Sequence, residues 1–264
     1  GLPFALTGIC VLVYFRIGAI MLEHMKGERS VGIYGAATNL LFSAMLISQA
    51  LVTSVFPVIA GAASLREPAA RDVLRRALTL SLAASLPLAL GTAAVARPVM
   101  TTLYGERYAG GATALALLMA TLPLLFVTNL FGHCLGARGR QRAVLAVASA
   151  NAILNVALNL WLIPRWDLDG AALATLATEA LGLSLYLVFL RRDLGGAFHR
   201  PALVRVLGVN AALGLLLLAM RGQPWLVVVA AAVALYAALL RLTGLVTGAD
   251  LRAALRPLAG RRAP

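Results

Sequence analysis

The chain has 264 residues, of which 61% are hydrophobic and 12% charged. Soluble domains carry about 25% charged residues, so this composition excludes an ordinary soluble enzyme and indicates a protein embedded in lipid. The formal net charge is +13, but the arginines fall between apolar stretches, which indicates membrane orientation rather than nucleic-acid binding.

Apolar stretches of membrane-crossing length follow one another along the whole chain. A helix needs about 20 apolar residues to cross the hydrocarbon core, and the sequence predicts an all-α, polytopic membrane helix bundle of about eight transmembrane helices. The connections are short, the longest near 64–76, and leave no room for a soluble catalytic domain. The predicted spans are Pro3–Leu22, Gly32–Ile59, Leu74–Ala96, Gly110–Ala137, Ala143–Ile163, Gly170–Leu190, Leu203–Met220 and Pro224–Leu242.

The basic residues alternate between the two sides of the membrane that these spans define. Sixteen fall on one side and six on the other, while Arg16 lies inside a span. Cytoplasmic loops are enriched in Lys and Arg, so we expect both ends of the chain in the cytoplasm, including a basic tail over 243–264. The richer side carries Arg66, Arg71, Arg75, Arg76, Arg138, Arg140, Arg142, Arg191, Arg192, Arg200, Arg205, Arg241, Arg252, Arg256, Arg261 and Arg262.

Arg16 is the one cation well inside a predicted span. A cation there costs roughly 2.5–3.5 kcal/mol on insertion scales and usually faces a polar interior. One interpretation is that Arg16 extends outward along the helix, towards Glu23. The other is that it faces a cavity and meets an anionic headgroup.

Polar side chains also mark the second, fifth and sixth spans. Those of the second span either bond to neighbouring helices or line a hydrophilic path opposite Arg16; they are Asn39, Ser43, Gln49 and Thr53. Asn151, Asn155 and Asn159 recur at intervals of four residues and form one stripe on the fifth span. That stripe favours bonding between helices, with a binding site as the alternative.

Glu179 is the one carboxylate well inside a span. It either hydrogen-bonds an amide of the asparagine stripe or binds a proton that is coupled to transport. His24, His133 and His199 are far apart in the predicted topology, and no catalytic arrangement, metal site or cofactor motif is visible, so we expect no enzyme activity.

Small residues and prolines modify several spans. Gly35-Ala36-Ala37, Gly111-Ala112-Thr113 and Gly170-Ala171-Ala172 predict close helix packing, with an internal helix-pair repeat as the alternative. Proline removes a backbone donor and kinks a helix, and three consecutive spans contain Pro57, Pro87 and Pro123.

Several strings, in their order and spacing, resemble the second half of bacterial polysaccharide and O-antigen flippases. That family belongs to a superfamily that also contains multidrug extruders and lipid II flippases. The resemblance covers roughly residues 3–192 and is carried by Tyr14-Phe15-Arg16-Ile17, Val31 to Ala37, Phe56-Pro57, Leu103-Tyr104-Gly105, Leu135 to Gln141, Asn155 to Pro164, and Asp169 to Thr175 with Glu179 following.

The resemblance implies a multi-pass protein of the bacterial inner membrane, similar in fold to the multidrug extruders. Residues 1–192 would form its second six-helix lobe, 203–242 an additional helix pair, and the N-terminal lobe would be missing. Many relatives carry Asp where this chain has Gly18, so Arg16 would lack an ion-pair partner.

The resemblance further implies translocation of a polyprenyl-diphosphate-linked oligosaccharide for surface polysaccharide synthesis. Arg16 would contact the diphosphate, and Asn39, Ser43 and Gln49 would line the sugar path. Asn155 and Glu179 would serve structure within the lobe or ion coupling. The expected partners are the lipid-linked oligosaccharide, membrane lipids and the missing lobe. The alternatives are a cation-coupled drug extruder, a membrane-embedded glycan polymerase or ligase, and a fragment that is inert alone.

Overall fold

A computed structural model describes residues 2–194, 198 and 200–245. This part of the chain is helical and contains no strand, which confirms the all-α prediction. The helices are α1 (Leu2–Lys26), α2 (Glu28–Gly61), α3 (Pro68–Ala94), α4 (Ala96–Tyr104), a 3-10 helix (Glu106–Gly111), α5 (Ala112–Ala120), α6 (Leu122–Ala137), α7 (Gln141–Leu190), α8 (Arg200–Ala219) and α9 (Trp225–Thr243).

Seven segments of the described chain are long and apolar enough to cross a membrane, because the fifth and sixth predicted spans both belong to α7. This helix has 50 residues and is broken at Asp167, where φ is 52° and ψ is −131°. Asn155 contacts Thr178 across the break, and Asn151 lies against Gly182. In each pair the two residues lie about equally far along the chain from the break. The two arms of α7 therefore form an antiparallel hairpin and supply two crossings, as predicted.

The fourth predicted span lies at the centre of the bundle and is built from three consecutive helices. The 3-10 helix leads into α5, and Thr121 separates α5 from α6. Pro123 occupies the first turn of α6, where its missing N–H costs least. Phe126 and Phe131 of α6 are fully buried and belong to two separate apolar clusters. The central segment therefore joins the core of one membrane half to that of the other.

Two details differ from the sequence expectations. α3 begins at Pro68, six residues before the predicted span, because proline suits the first helical turn, so the connection after α2 covers only 62–67. α4 was not expected as a separate helix. Val95, with φ −117° and ψ 24°, is not helical and separates α3 from α4.

Close packing accounts for two of the three small-residue strings. A Cβ atom added at Gly111 would lie 2.5 Å from Ile33 Cγ2, and one added at Gly170 would clash with the backbone of Leu162. Gly35 differs, since a Cβ atom there would meet nothing within 4 Å.

α8 and α9 pack against each other and against α3. Their contacts form two small apolar clusters, one containing Ala83 and Val206, the other Val95 and Leu213. The Tyr236 hydroxyl donates to the Ala83 carbonyl. The division into a lobe and an additional helix pair stays a prediction, and most of the predicted basic tail, residues 246–264, lies outside the described residues, as does His199.

Candidate functional site

The first two helices run along different neighbours and touch each other over a limited region. α1 packs mainly along α7, whereas α2 packs mainly against α3 and α6. The rings of Phe15 on α1 and Phe42 on α2 meet with centroids 5.4 Å apart. This contact places Arg16 and Ser43, the next residues along each helix, at the same depth.

Arg16 is exposed on this chain. Its guanidinium makes no hydrogen bond or ion pair with any residue that the structure describes, so the pairing with Glu23 is not formed. Gly18, two residues on, is buried, and a Cβ atom there would lie 3.6 Å from Asn159 Nδ2. Position 18 therefore lies on the buried face of α1, whereas Arg16 is exposed; that the loss of a carboxylate there leaves Arg16 without an ion-pair partner stays a prediction.

The predicted polar residues of α2 are also exposed. Ser43 donates to the Asn39 carbonyl at 2.8 Å and Thr53 to the Gln49 carbonyl at 2.8 Å, so both hydroxyl groups bond within their own helix. Within the described chain the amides of Asn39 and Gln49 reach no other helix. We call Arg16, Asn39, Ser43 and Gln49 the α1–α2 polar set.

The asparagine stripe is buried, in contrast. Asn155 Nδ2 donates to Thr178 Oγ1 at 3.4 Å, and Asn159 Nδ2 donates to Asn155 Oδ1 at 2.8 Å. The first of these bonds joins the two arms of α7, and the second runs along the first arm. Asn155 therefore lies in a hydrogen-bonded row inside the hairpin.

A cavity of about 520 Å³ lies beside this row, between α1, α2, α6 and both arms of α7. Its lining is largely apolar, with Phe15 and Phe56 among the contributors, and it reaches Ala137 and Gln141 at the connection between α6 and α7. No member of the α1–α2 polar set lines it. The two features are therefore separate.

Glu179 lies in the wall of this cavity and is 4% exposed. Thr128 donates its hydroxyl proton to Glu179 Oε2 at 3.1 Å. The expected bond to the asparagine stripe is not formed. Residues in a helix are offset by about 100° each, and because Thr178 faces Asn155, Glu179 is turned towards α6.

His133 belongs to the same cavity, which sequence reasoning missed. Its Nδ1 lies 2.9 Å from the Asn129 carbonyl, and its ring meets Phe56 edge-on with centroids 6.1 Å apart. A histidine inside an apolar span was the available signal, but spacing along the chain does not show which helix His133 faces. Among the described residues no cluster of potential metal ligands occurs.

Membrane-length helices, a broken hairpin and intramembrane polar groups define the class: this chain is a polytopic α-helical membrane bundle. The sequence pattern of the family described as "Lipid II flippase MurJ" matches residues 27–243. The chain belongs to this family. The match begins after α1, so Arg16 lies outside it.

One curated relative is a probable low-salt glycan biosynthesis flippase, Agl15, from Haloferax volcanii. It is 26% identical over 164 residues, which are 62% of this chain and 35% of the relative. The family match and this relative confirm the resemblance to flippases of this superfamily; glycan flipping and O-antigen as the glycan stay predictions.

Solved structures show the same fold. A lipid II flippase MurJ in an inward closed conformation superposes with a TM-score of 0.73 at 14% identity, covering 90% of this chain and 51% of that one. A MOP-superfamily transporter from Pyrococcus furiosus gives a TM-score of 0.64 at 19% identity, covering 81% of this chain and 51% of that one. The chain thus spans about half the length of these structures.

Proposed function

We propose that this chain is the second half of a flippase that moves a polyprenyl-diphosphate-linked oligosaccharide from the cytoplasmic to the outer leaflet. The family match and the glycan-flippase relative support this cargo class. The physical task is to carry sugars and a diphosphate through hydrocarbon while the isoprenoid tail stays in lipid. A hydrophilic cavity between two lobes, opening alternately to each side, accomplishes it.

The proposal rests on the exposure of Arg16 and on its lack of a partner among the described residues. Its guanidinium is exposed within a membrane-length helix and has no partner among the described residues. Because an intramembrane cation is costly unless it faces protein or water, the missing half supplies the other wall of an aqueous cavity. Arg16 binds the diphosphate there, since guanidinium forms paired hydrogen bonds with phosphate oxygens.

The remaining residues of the α1–α2 polar set line the sugar path. Asn39 and Gln49 carry amides that are not used by any other described helix, so they are available to sugar hydroxyl groups. Asn155 and Glu179 act inside the lobe and do not contact cargo.

The chain's place in the complete protein follows from the same proposal. Residues 1–192 form the second lobe, 203–242 form an additional helix pair, and both ends lie in the cytoplasm of a bacterial cell, with the bundle in its inner membrane. The partners are the cargo lipid, the membrane lipids and the N-terminal lobe. Transport proceeds without covalent change of the cargo, so the protein is not an enzyme.

The drug-extruder alternative has support from fold alone. Among the solved neighbours is the multidrug transporter DinF-BH, at 18% identity with a TM-score of 0.61, covering 98% of this chain and 58% of that one. The polymerase or ligase alternative lacks the long outer loop that such chemistry would use: on the predicted outer side, only 27, 95, 105 and 220–224 separate described helices.

The test uses the complete protein in lipid vesicles with a fluorescent polyprenyl-diphosphate oligosaccharide and a lipophilic cationic drug. We expect transport of the glycolipid and not of the drug. Arg16→Ala lowers the flipping rate by about tenfold or more, as expected for loss of a charge-assisted contact of about 1.5–3 kcal/mol, and Arg16→Lys restores part of it.

Arg221→Ala is the matched control, because Arg221 is an exposed cation between α8 and α9. It should leave the rate unchanged. Equal flipping by Arg16→Ala and the parent protein at equal reconstitution would remove Arg16 from the diphosphate site. Transport of the drug and not of the glycolipid would contradict the proposed cargo class.

A further inference from the structure

The cavity in the lobe joins two ionisable groups that the cargo path does not use. Glu179 lies at one end, level with Thr128, and the lining continues along α6 through His133 to Ala137. Thr128 and Ala137 are nine residues apart, which is about 13 Å along a helix. The cavity therefore connects a buried carboxyl group to the connection between α6 and α7, which carries Arg138 and Arg140.

Among the described residues Glu179 has no cationic partner that would hold it permanently ionised. The titratable groups that line the cavity with it are Tyr14 on α1, His133 on α6 and Tyr186 on its own arm of α7; α2 contributes Met45 and Phe56. Among the described residues no Lys or Arg lines this space. The Tyr14 hydroxyl faces the carboxyl without a well-formed hydrogen bond.

The Thr128 hydroxyl is placed to serve both protonation states of Glu179. Its oxygen lies 3.1 Å from Glu179 Oε2 and 3.2 Å from the Leu125 carbonyl, and its single proton can be donated to only one of them. When Glu179 is ionised, Thr128 donates to it. When Glu179 is neutral, the new acid proton is donated to the Thr128 oxygen, and Thr128 donates to Leu125.

Another polar atom in the cavity lacks a partner. Asn151 lines the cavity, is 8% exposed, and its Oδ1 accepts no hydrogen bond from the described residues. Buried acceptors are normally satisfied, often by ordered water. Asn151 Oδ1 is therefore free to accept from a water molecule in the cavity, and water is the medium a proton needs.

His133 has a free ring nitrogen, Nε2, that can pass a proton to Glu179. A carbonyl oxygen only accepts, so Nδ1 carries the proton donated to Asn129, and Nε2 of the neutral ring is the free acceptor. A proton that enters from the Ala137 end of the cavity would form an N–H bond at Nε2. That bond would break as the proton passes to the Glu179 carboxylate, which becomes a carboxylic acid while the ring returns to its neutral form.

We propose that Glu179 binds and releases a proton and that the cavity with His133 connects it to the cytoplasmic side, independently of the cargo path. The cytoplasmic direction and the link to cargo movement rest on the proposed function. The proton site itself does not, because it depends only on contacts within this lobe.

Infrared difference spectroscopy of the complete protein in lipid nanodiscs tests the site without any transport step. Acidification through the neutral range should produce a carboxylic-acid C=O band that is absent from Glu179→Gln and shifted in frequency in Glu179→Asp. Glu28→Gln, at an exposed carboxylate in the first turn of α2, is the control and should keep the band. A band that persists in Glu179→Gln, or the absence of any titrating band, would overturn the proposal.

Proton delivery is tested by following the same band after a rapid pH drop. His133→Gln should slow its appearance by about a hundredfold, within the usual contribution of a positioned proton-transfer group. His24→Gln, at an exposed histidine, should not slow it. Equal rates in both variants would remove His133 from the pathway.

Flipping assays at several pH values then separate the two proposals. A titrating Glu179 in a protein that moves no glycolipid refutes the proposed function and keeps the proton site. Glycolipid flipping at a rate unaffected by pH and by Glu179→Gln refutes a role of the proton in transport and keeps the function.

Discussion

The asparagine row of α7 and the α1–α2 polar set contain similar side chains at similar membrane depths, yet their states are opposite. Asn155 and Asn159 are at most 1% exposed and hydrogen-bonded, whereas Asn39 and Gln49 are exposed. Asn155 of the row is hydrogen-bonded to the second arm of the hairpin. The polar set has no such partner among the described residues.

The difference shows that residue type alone does not separate structural from cargo-facing polar groups in a membrane helix. What separates them is whether the chain supplies a covering helix at that position. Changes in the row should therefore alter stability first, and changes in the polar set should alter transport first.

The largest effect on stability is expected where the hairpin arms are closest. Gly170→Ala would place a methyl group against the Leu162 backbone, which cannot move aside as a side chain could. We expect a loss of about 1–3 kcal/mol in unfolding free energy, the usual cost of overpacking. Gly214→Ala, where nothing lies within 4 Å of the new atom, is the control for thermal unfolding in detergent and should show no loss.

A smaller effect is expected from the row itself. Asn155→Ala removes the partner of Thr178 and Asn159 and should cost about 1 kcal/mol, near the upper range of bonds between helices in membranes. Its counterpart Asn39→Ala should leave unfolding unchanged and slow flipping. The reverse pattern, with Asn39→Ala destabilising and Asn155→Ala neutral, would contradict the division between the two regions.

The smallest effect is expected at the turn of the hairpin. Asp167 accepts a hydrogen bond from Ser30 at 3.0 Å but has a positive φ of 52°. Asp167→Gly removes the backbone strain of the positive φ but also removes the hydrogen bond from Ser30. The two effects oppose each other, so we expect an unfolding free energy within about 0.5 kcal/mol of the parent's. Asp167→Ala loses the bond without relief and should unfold at a lower temperature than Asp167→Gly.

Sequence reasoning predicted the membrane class, the number of crossings and the superfamily, because length and apolar content determine what can span a bilayer. The fifth and sixth predicted spans are the two arms of α7, but the sharp junction at Asp167 was not anticipated, since a non-glycine residue at positive φ has no composition signal. α4 was missed for a similar reason: nine residues are too few for a periodic pattern to stand out.

The candidate site was predictable only in part. Arg16 and Glu179 stood out because charge inside an apolar span is rare. Which helix each one faces depends on tertiary contacts, so the pairing of Glu179 with Thr128 and the shared cavity with His133 required the structure. The spacing of residues along the chain likewise did not predict that Asn39 is exposed and Asn155 buried.

The most direct measurement asks whether the α1–α2 polar set faces water in the complete protein. Cys10 and Cys134 are replaced by Ala, and single cysteines are introduced as Ser43→Cys on α2 and Val233→Cys near the middle of α9, where the native valine is 64% exposed. A membrane-impermeant thiol reagent is then applied to both faces of the membrane. The account predicts fast labelling of Ser43→Cys, slowed by glycolipid, and none of Val233→Cys. Unreactive Ser43→Cys, or equal labelling of both positions, would contradict it.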